Sequence, residues 1–158
     1  MKGPGGGWNE QEWRRPRRRA PRSPEAVSID DTAADLAELI RATSGRRRVG
    51  LYRVTPVEVR NLAWSGPAPP AHPVFPTSEG LTGAAIRARA TVCSNDVAND
   101  ARYLTNQVTT GSELIVPVVL DDEVVGTLDV EEGFADAFGP EDIELFERIP
   151  HELSPLFR

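Results

Sequence analysis

The chain has 158 residues, 39% of them hydrophobic, with a net charge of −6, which is enough chain and apolar matter for one domain with a single core. Residues 1–22 hold seven Lys and Arg against two Glu, a net +5, so the remainder carries −11 and a basic segment precedes an acidic body. An acidic body argues against a nucleic-acid-binding domain, since phosphate neutralisation dominates such affinity; one cysteine excludes an intramolecular disulfide and a Cys-cluster zinc site.

No run of about 18 apolar residues suggests a membrane span. No apolar stretch follows the N-terminal arginines, so a secretory signal is not expected and a cytoplasmic location is. Residues 1–24 read as a disordered basic tail rich in Pro, Gly and Arg. Trp8 and Trp13 leave two readings of it: a solvated arm, or a contact segment for an acidic partner or nucleic acid. Residues 25–158 form the domain. The spacing of Ile29, Ala33, Leu36 and Ile40 predicts a helix over about 26–43, with Asp30 and Asp31 near its start and Gly45 as its stop. Val49–Val54 reads as a strand, Thr55-Pro56 as a turn, and Val57–Trp64 as a returning strand.

Residues 65–79 read as a proline-rich loop without regular pairing, because proline cannot donate to a ladder. A helix is predicted over 80–87, with Gly80, Gly83, Ala84 and Ala85 as a small-residue face toward a sheet. A short strand follows at 91–94, then a polar loop over 95–106 with one helical turn. Residues 112–120 and 123–131 are β-branched runs around Asp121-Asp122, the pattern of a hairpin. A last helix spans 140–157, opened by Pro140 and interrupted at Pro150. The order indicates an α+β domain with antiparallel strands.

Three segments resemble a GAF domain over about residues 26–157: Gly80-Leu81-Thr82-Gly83-Ala84-Ala85; Ser94 to Tyr103; and Ser112 to Val118 followed by Val125 to Glu131 and Phe138 to Asp142. The resemblance implies a central antiparallel sheet of about six strands flanked by helices. It also implies a sensory or small-molecule-binding module acting in signal transduction, often as a homodimer, without fixing a cofactor. The nearest branch is similar to free methionine-(R)-sulfoxide reductases. Aligned on it, His72, Thr82 and Asn106 stand where that branch has cysteines, and a thiolate is what attacks the sulfoxide. The resemblance therefore implies that this activity is absent. Tyr52, Glu113, Asp129 and Glu131 match that branch's substrate-binding residues, and Arg48 stands where an aromatic is expected.

On their own residues, Thr127, Asp129 and Glu131 share one face of a strand, Leu128 and Val130 the other, and Glu113 lies on the neighbouring strand. The acids form either a solvated face or a pocket in which a cation, such as a ligand amine or a metal ion, relieves their repulsion. The resemblance favours a pocket for a small polar metabolite with a positive group, lying between the hairpin and residues 65–106. Cys93 reads as a core residue. His72 and His151 are far apart and indicate no metal site. With no kinase, cyclase, phosphodiesterase or helix-turn-helix segment expected, output is expected from a partner, a homodimer or the tail. The alternatives are a divergent sulfoxide reductase and a ligand-free dimerisation domain built on the first and last helices.

Overall fold

A computed structural model describes residues 28–158, so the tail with Trp8 and Trp13, and the first residues expected in the opening helix, lie outside the described residues. Helix α1 (Ile29–Ser44) begins at Ser28, whose Oγ accepts the Asp31 N–H at 3.1 Å, and ends at Gly45, left-handed at φ 67°. Its buried face is Ala33, Ala37 and Ile40, with Leu36 half-buried. Ile29, expected on that face, is exposed at the helix's first residue.

Strands β1 (Arg48–Val54) and β2 (Glu58–Ser65) form a hairpin closed by Thr55, whose Oγ1 accepts the Glu58 N–H at 3.1 Å. Next comes β3 (Val74–Pro76), a strand inside the stretch expected to be unpaired. It pairs antiparallel with β2 (Val59 opposite Phe75) and occupies the sheet edge, where only one side of the strand needs donors and proline is tolerated. Helix α2 (Gly80–Ala88) and strand β4 (Val92–Ser94) follow as expected. Gly83 is needed against the Thr77–Ser78 backbone rather than the sheet: a Cβ there would lie 2.6 Å from the Ser78 carbonyl carbon.

The loop after β4 contains a 3-10 turn at Val97–Asn99. Strands β5 (Ser112–Leu120) and β6 (Glu123–Glu132) then form the expected hairpin. Asp121 and Asp122 both have positive φ (50° and 64°), the requirement of a two-residue primed turn. The closing helix is broken as the prolines demand, into α3 (Pro140–Glu147), α4 (Pro150–Leu153) and a 3-10 turn at Ser154–Phe157.

The six strands form one antiparallel sheet in the order β3-β2-β1-β6-β5-β4. One face carries the main core: Val49, Leu51, Leu114, Val116, Leu128 and Val130 pack against α1, α3 and α4. The other face carries α2, whose Leu81 and Ala85 pack on Ile115, and the polar residues described below. On the core face Gly126 leaves room for the Phe157 ring; a Cβ there would lie 2.3 Å from that ring and 2.8 Å from the Tyr52 carbonyl oxygen. Gly126→Ala is expected to destabilise the fold by about 1–3 kcal/mol through overpacking. A thermal melt checks this, and an unchanged midpoint contradicts the packing role of Phe157.

Candidate functional site

Strand register assembles the site. On β1 the residues facing away from the core are Arg48, Gly50 and Tyr52, opposite Glu131, Asp129 and Thr127 of β6. Glu113 of β5 lies opposite Glu131 on its other side, and Ile115 opposite Asp129. The period-2 alternation of the sequence thus places all three expected carboxylates on one sheet face. Glu113, Asp129 and Glu131 are 7%, 4% and 2% exposed, so the solvated-face alternative does not hold.

The repulsion among them is relieved from within the chain. Arg48, 1% exposed, donates Nη1 to Glu131 Oε1 at 2.5 Å. Asn106 Nδ2 donates to the same oxygen at 2.5 Å, and Thr110 Oγ1 donates to Oε2 at 2.8 Å. Glu131 is therefore fully engaged by protein groups. Arg48 Nη2 is buried without a hydrogen-bond partner. Sequence reasoning registered Arg48 as a departure from an aromatic position and missed it as the counter-charge. Its signal was present: an Arg on the same strand face as Tyr52.

The other two carboxylates border a pocket lined by Tyr52, His72, Phe75, Gly80, Leu81, Thr82, Leu104, Asn106, Glu113 and Asp129. Its cavity volume is about 20 Å³, room for about one water and far below the ~300–1,000 Å³ typical of ligand pockets, so the walls stand close together in this conformation. Glu131 does not line it. Thr127 Oγ1 donates to Asp129 Oδ1 at 2.6 Å. No hydrogen-bond donor among the described residues reaches the Glu113 carboxylate.

Burial first, then the charges of Glu131 and Asp129, pushes the Glu113 carboxyl well above the usual carboxylate range. Burial, opposed by the Thr127 hydrogen bond and assisted by Glu131, raises Asp129 to about 7. The Tyr52 phenol is raised as well, by burial and then by the Asp129 charge, so it stays neutral and able to donate. Phe75 meets the Tyr52 ring edge-on, with centroids 6.1 Å apart. The unexpected strand β3 thus supplies a wall of the pocket. Gly50 makes room for that tyrosine: a Cβ there would lie 2.7 Å from Tyr52 Cε2.

The roof consists of two loops. From the loop before β3, His72 reaches the pocket; from the loop before β5, Leu104 and Asn106 do. Other motif residues of the second loop are structural. Asn95 makes paired bonds with the Phe138 backbone (Nδ2 to O at 2.8 Å, Oδ1 from N at 3.0 Å). Arg102 clamps Asp100 with Nε to Oδ1 at 2.9 Å and Nη2 to Oδ2 at 2.7 Å, which holds that carboxyl below its ordinary range.

Cys93 lies on β4, is half-buried against the main core, and burial raises its thiol. It does not line the pocket. Among the described residues no group of three or more His, Cys, Asp or Glu is arranged to hold a metal ion. No helix among them is long and apolar enough to cross a membrane.

The GAF domain family model matches residues 26–154. No curated protein sequence matches the chain. Among solved structures, the type II free methionine-R-sulfoxide reductase of Thermoplasma acidophilum superposes with a TM-score of 0.75 at 23% identity, covering 82% of this chain and 95% of that one. The free methionine-R-sulfoxide reductase of Neisseria meningitidis, in complex with its substrate, has a TM-score of 0.75 at 23% identity, covering 84% of this chain and 80% of that one. The GAF domain of an Acinetobacter phosphoenolpyruvate-protein phosphotransferase has a TM-score of 0.73 at 20% identity, covering 84% of each chain. At these identities the likeness is one of fold.

Proposed function

This chain belongs to the GAF domain family, and from that premise we propose that it is a non-catalytic module that binds a small polar metabolite bearing a cationic group. The fold is shared by sensory domains and by free methionine-R-sulfoxide reductases, so the choice between binding and catalysis rests on the site. One observation carries the reading: a buried carboxylate, Glu113, stands on the pocket wall beside Asp129 with no hydrogen-bond donor of its own. A carboxylate that opens on a pocket and has no protein donor is free to accept from a ligand, and an ammonium is the partner that its charge favours. Glu113 and Asp129 take the cation, Tyr52 donates to an acceptor on the ligand, and Glu131 supports the roof through Asn106.

Reductase chemistry is disfavoured because no pocket-lining residue is a thiol, and the raised Cys93 thiol lies on a different part of the sheet. The module signals through a partner or a second copy. The exposed Leu39 of α1 and Leu145 of α3 give such a partner an apolar foothold on the helical face.

The test is a thermal-shift screen against amino acids, methionine sulfoxides, cyclic nucleotides and divalent cations. We expect a saturable stabiliser among the amine-bearing compounds. Its apparent affinity should strengthen up to about tenfold per pH unit as Asp129 loses its proton near pH 7. A stabiliser that is anionic, or that binds equally at pH 6 and pH 8, overturns the cation reading. Turnover of free methionine-(R)-sulfoxide above a protein-free control overturns the non-catalytic one.

A further inference from the structure

The pocket's roof is fastened by three side chains, of which Asn106 lines the cavity. Asn106 Nδ2 bonds Glu131 on the floor at 2.5 Å, while its Oδ1 accepts the Ala71 N–H at 2.9 Å from the opposite loop. Next to it, Gln107 Nε2 bonds the Pro69 carbonyl at 2.6 Å, and the Arg48 guanidinium reaches the Ala68 carbonyl through Nε at 3.4 Å. Both loops are irregular over 66–73 and 100–111, held to the sheet by backbone bonds at their ends, Asn61 N–H to the Pro73 carbonyl and Gly111 N–H to the Glu132 carbonyl, both 2.8 Å. Asn106 thus ties its own loop both to the opposite loop and to the floor, and it lines the cavity as well.

We propose that Asn106 is a positioning residue that latches the pocket: entry and exit require its bonds to Glu131 and Ala71 to break. This rests on the pocket being a ligand site, but its test needs no ligand. The charge-assisted bond to buried Glu131 is the stronger of the two, so the latch is anchored on the sheet and releases toward the loops. The groups facing it are Arg48 from β1, Glu131 and Asp129 from β6, Glu113 from β5, Thr110 and Tyr103 from its own loop, and Ala71 and His72 from the other; Asp129 and Glu113 are present in every variant compared, so the Asn106→Ala reference carries their pH dependence.

The experiment uses Thr82→Cys in a Cys93→Ser background, which places a thiol on the pocket wall, and measures its labelling by a small neutral methanethiosulfonate. Hydrogen exchange of the Ala71 amide is measured alongside. Adding Asn106→Ala is expected to raise both rates about tenfold or more while the β5–β6 amides stay unchanged. Adding Asn106→Asp places a carboxylate against Glu131. That variant should label as fast as Asn106→Ala at pH 8 yet fall toward the latched rate at pH 5, where the new carboxyl is protonated and donates again. Normalising to Asn106→Ala at each pH removes the thiol's own pH dependence. Equal labelling in all three at both pH values, or faster exchange throughout the sheet, overturns the latch. A failed ligand screen leaves these outcomes intact and bears on the binding reading alone.

Discussion

Glu113→Gln is expected to raise the melting temperature at pH 8 and abolish binding of any cationic ligand. The carboxyl's raised folded-state value means that, above its ordinary range, the native state holds a proton the unfolded state has released. Stability contributed by such a group is therefore lost as pH rises from its ordinary value toward its folded one. Asp129 acts in the same direction between about 4 and about 7, by an amount on the order of a few kcal/mol. Glutamine removes the charge without breaking a hydrogen bond, since Glu113 has no donor to lose. We expect a gain of about 2 kcal/mol at pH 8, shrinking toward zero at pH 5 as the wild-type carboxyl protonates. Urea unfolding at the two pH values measures it. A variant less stable than wild type at pH 8 contradicts the raised carboxyl of Glu113. The reversal, stability gained where function is lost, is the usual mark of a residue kept for binding.

Arg48→Met has the opposite sign. It leaves the Glu131 side chain, 2% exposed, without its counter-charge beside Glu113 and Asp129. Breaking one half of a buried pair costs about 3–5 kcal/mol, a large share of the ~5–15 kcal/mol total of a typical domain. Adding Glu131→Gln removes the orphaned charge and keeps an acceptor for Asn106 and Thr110, so most of the loss should return. Urea midpoints of the single and double variants decide the matter; a single variant as stable as wild type contradicts the pairing. The deficit should also narrow at pH 5, where Asp129 and Glu113 no longer add charge.

The sequence by itself determined whatever depends on near neighbours. Alternation over 127–131 put Asp129 and Glu131 on the face opposite Leu128 and Val130. Asp121-Asp122 between β-branched runs dictated the hairpin, and Gly45, Pro140 and Pro150 set helix ends where the chain bears them out. The edge strand β3 was hidden because its proline content argues against a ladder, while its Val74-Phe75 pair is too short to signal one.

Tertiary structure decided which carboxylate meets what. Arg48 and Glu131 are 83 residues apart, and Asn106 and Glu131 are 25 apart. Their meeting is fixed by the register of β1 on β6 and by a loop laid across both, and no local propensity encodes it. Tyr52, Glu113 and Asp129 came to the pocket wall as a group, while Glu131 was drawn behind it by Arg48. The physical reason is range: side-chain alternation, caps and turns act within a few residues, whereas a buried charge takes its partner from whatever strand packs beside it.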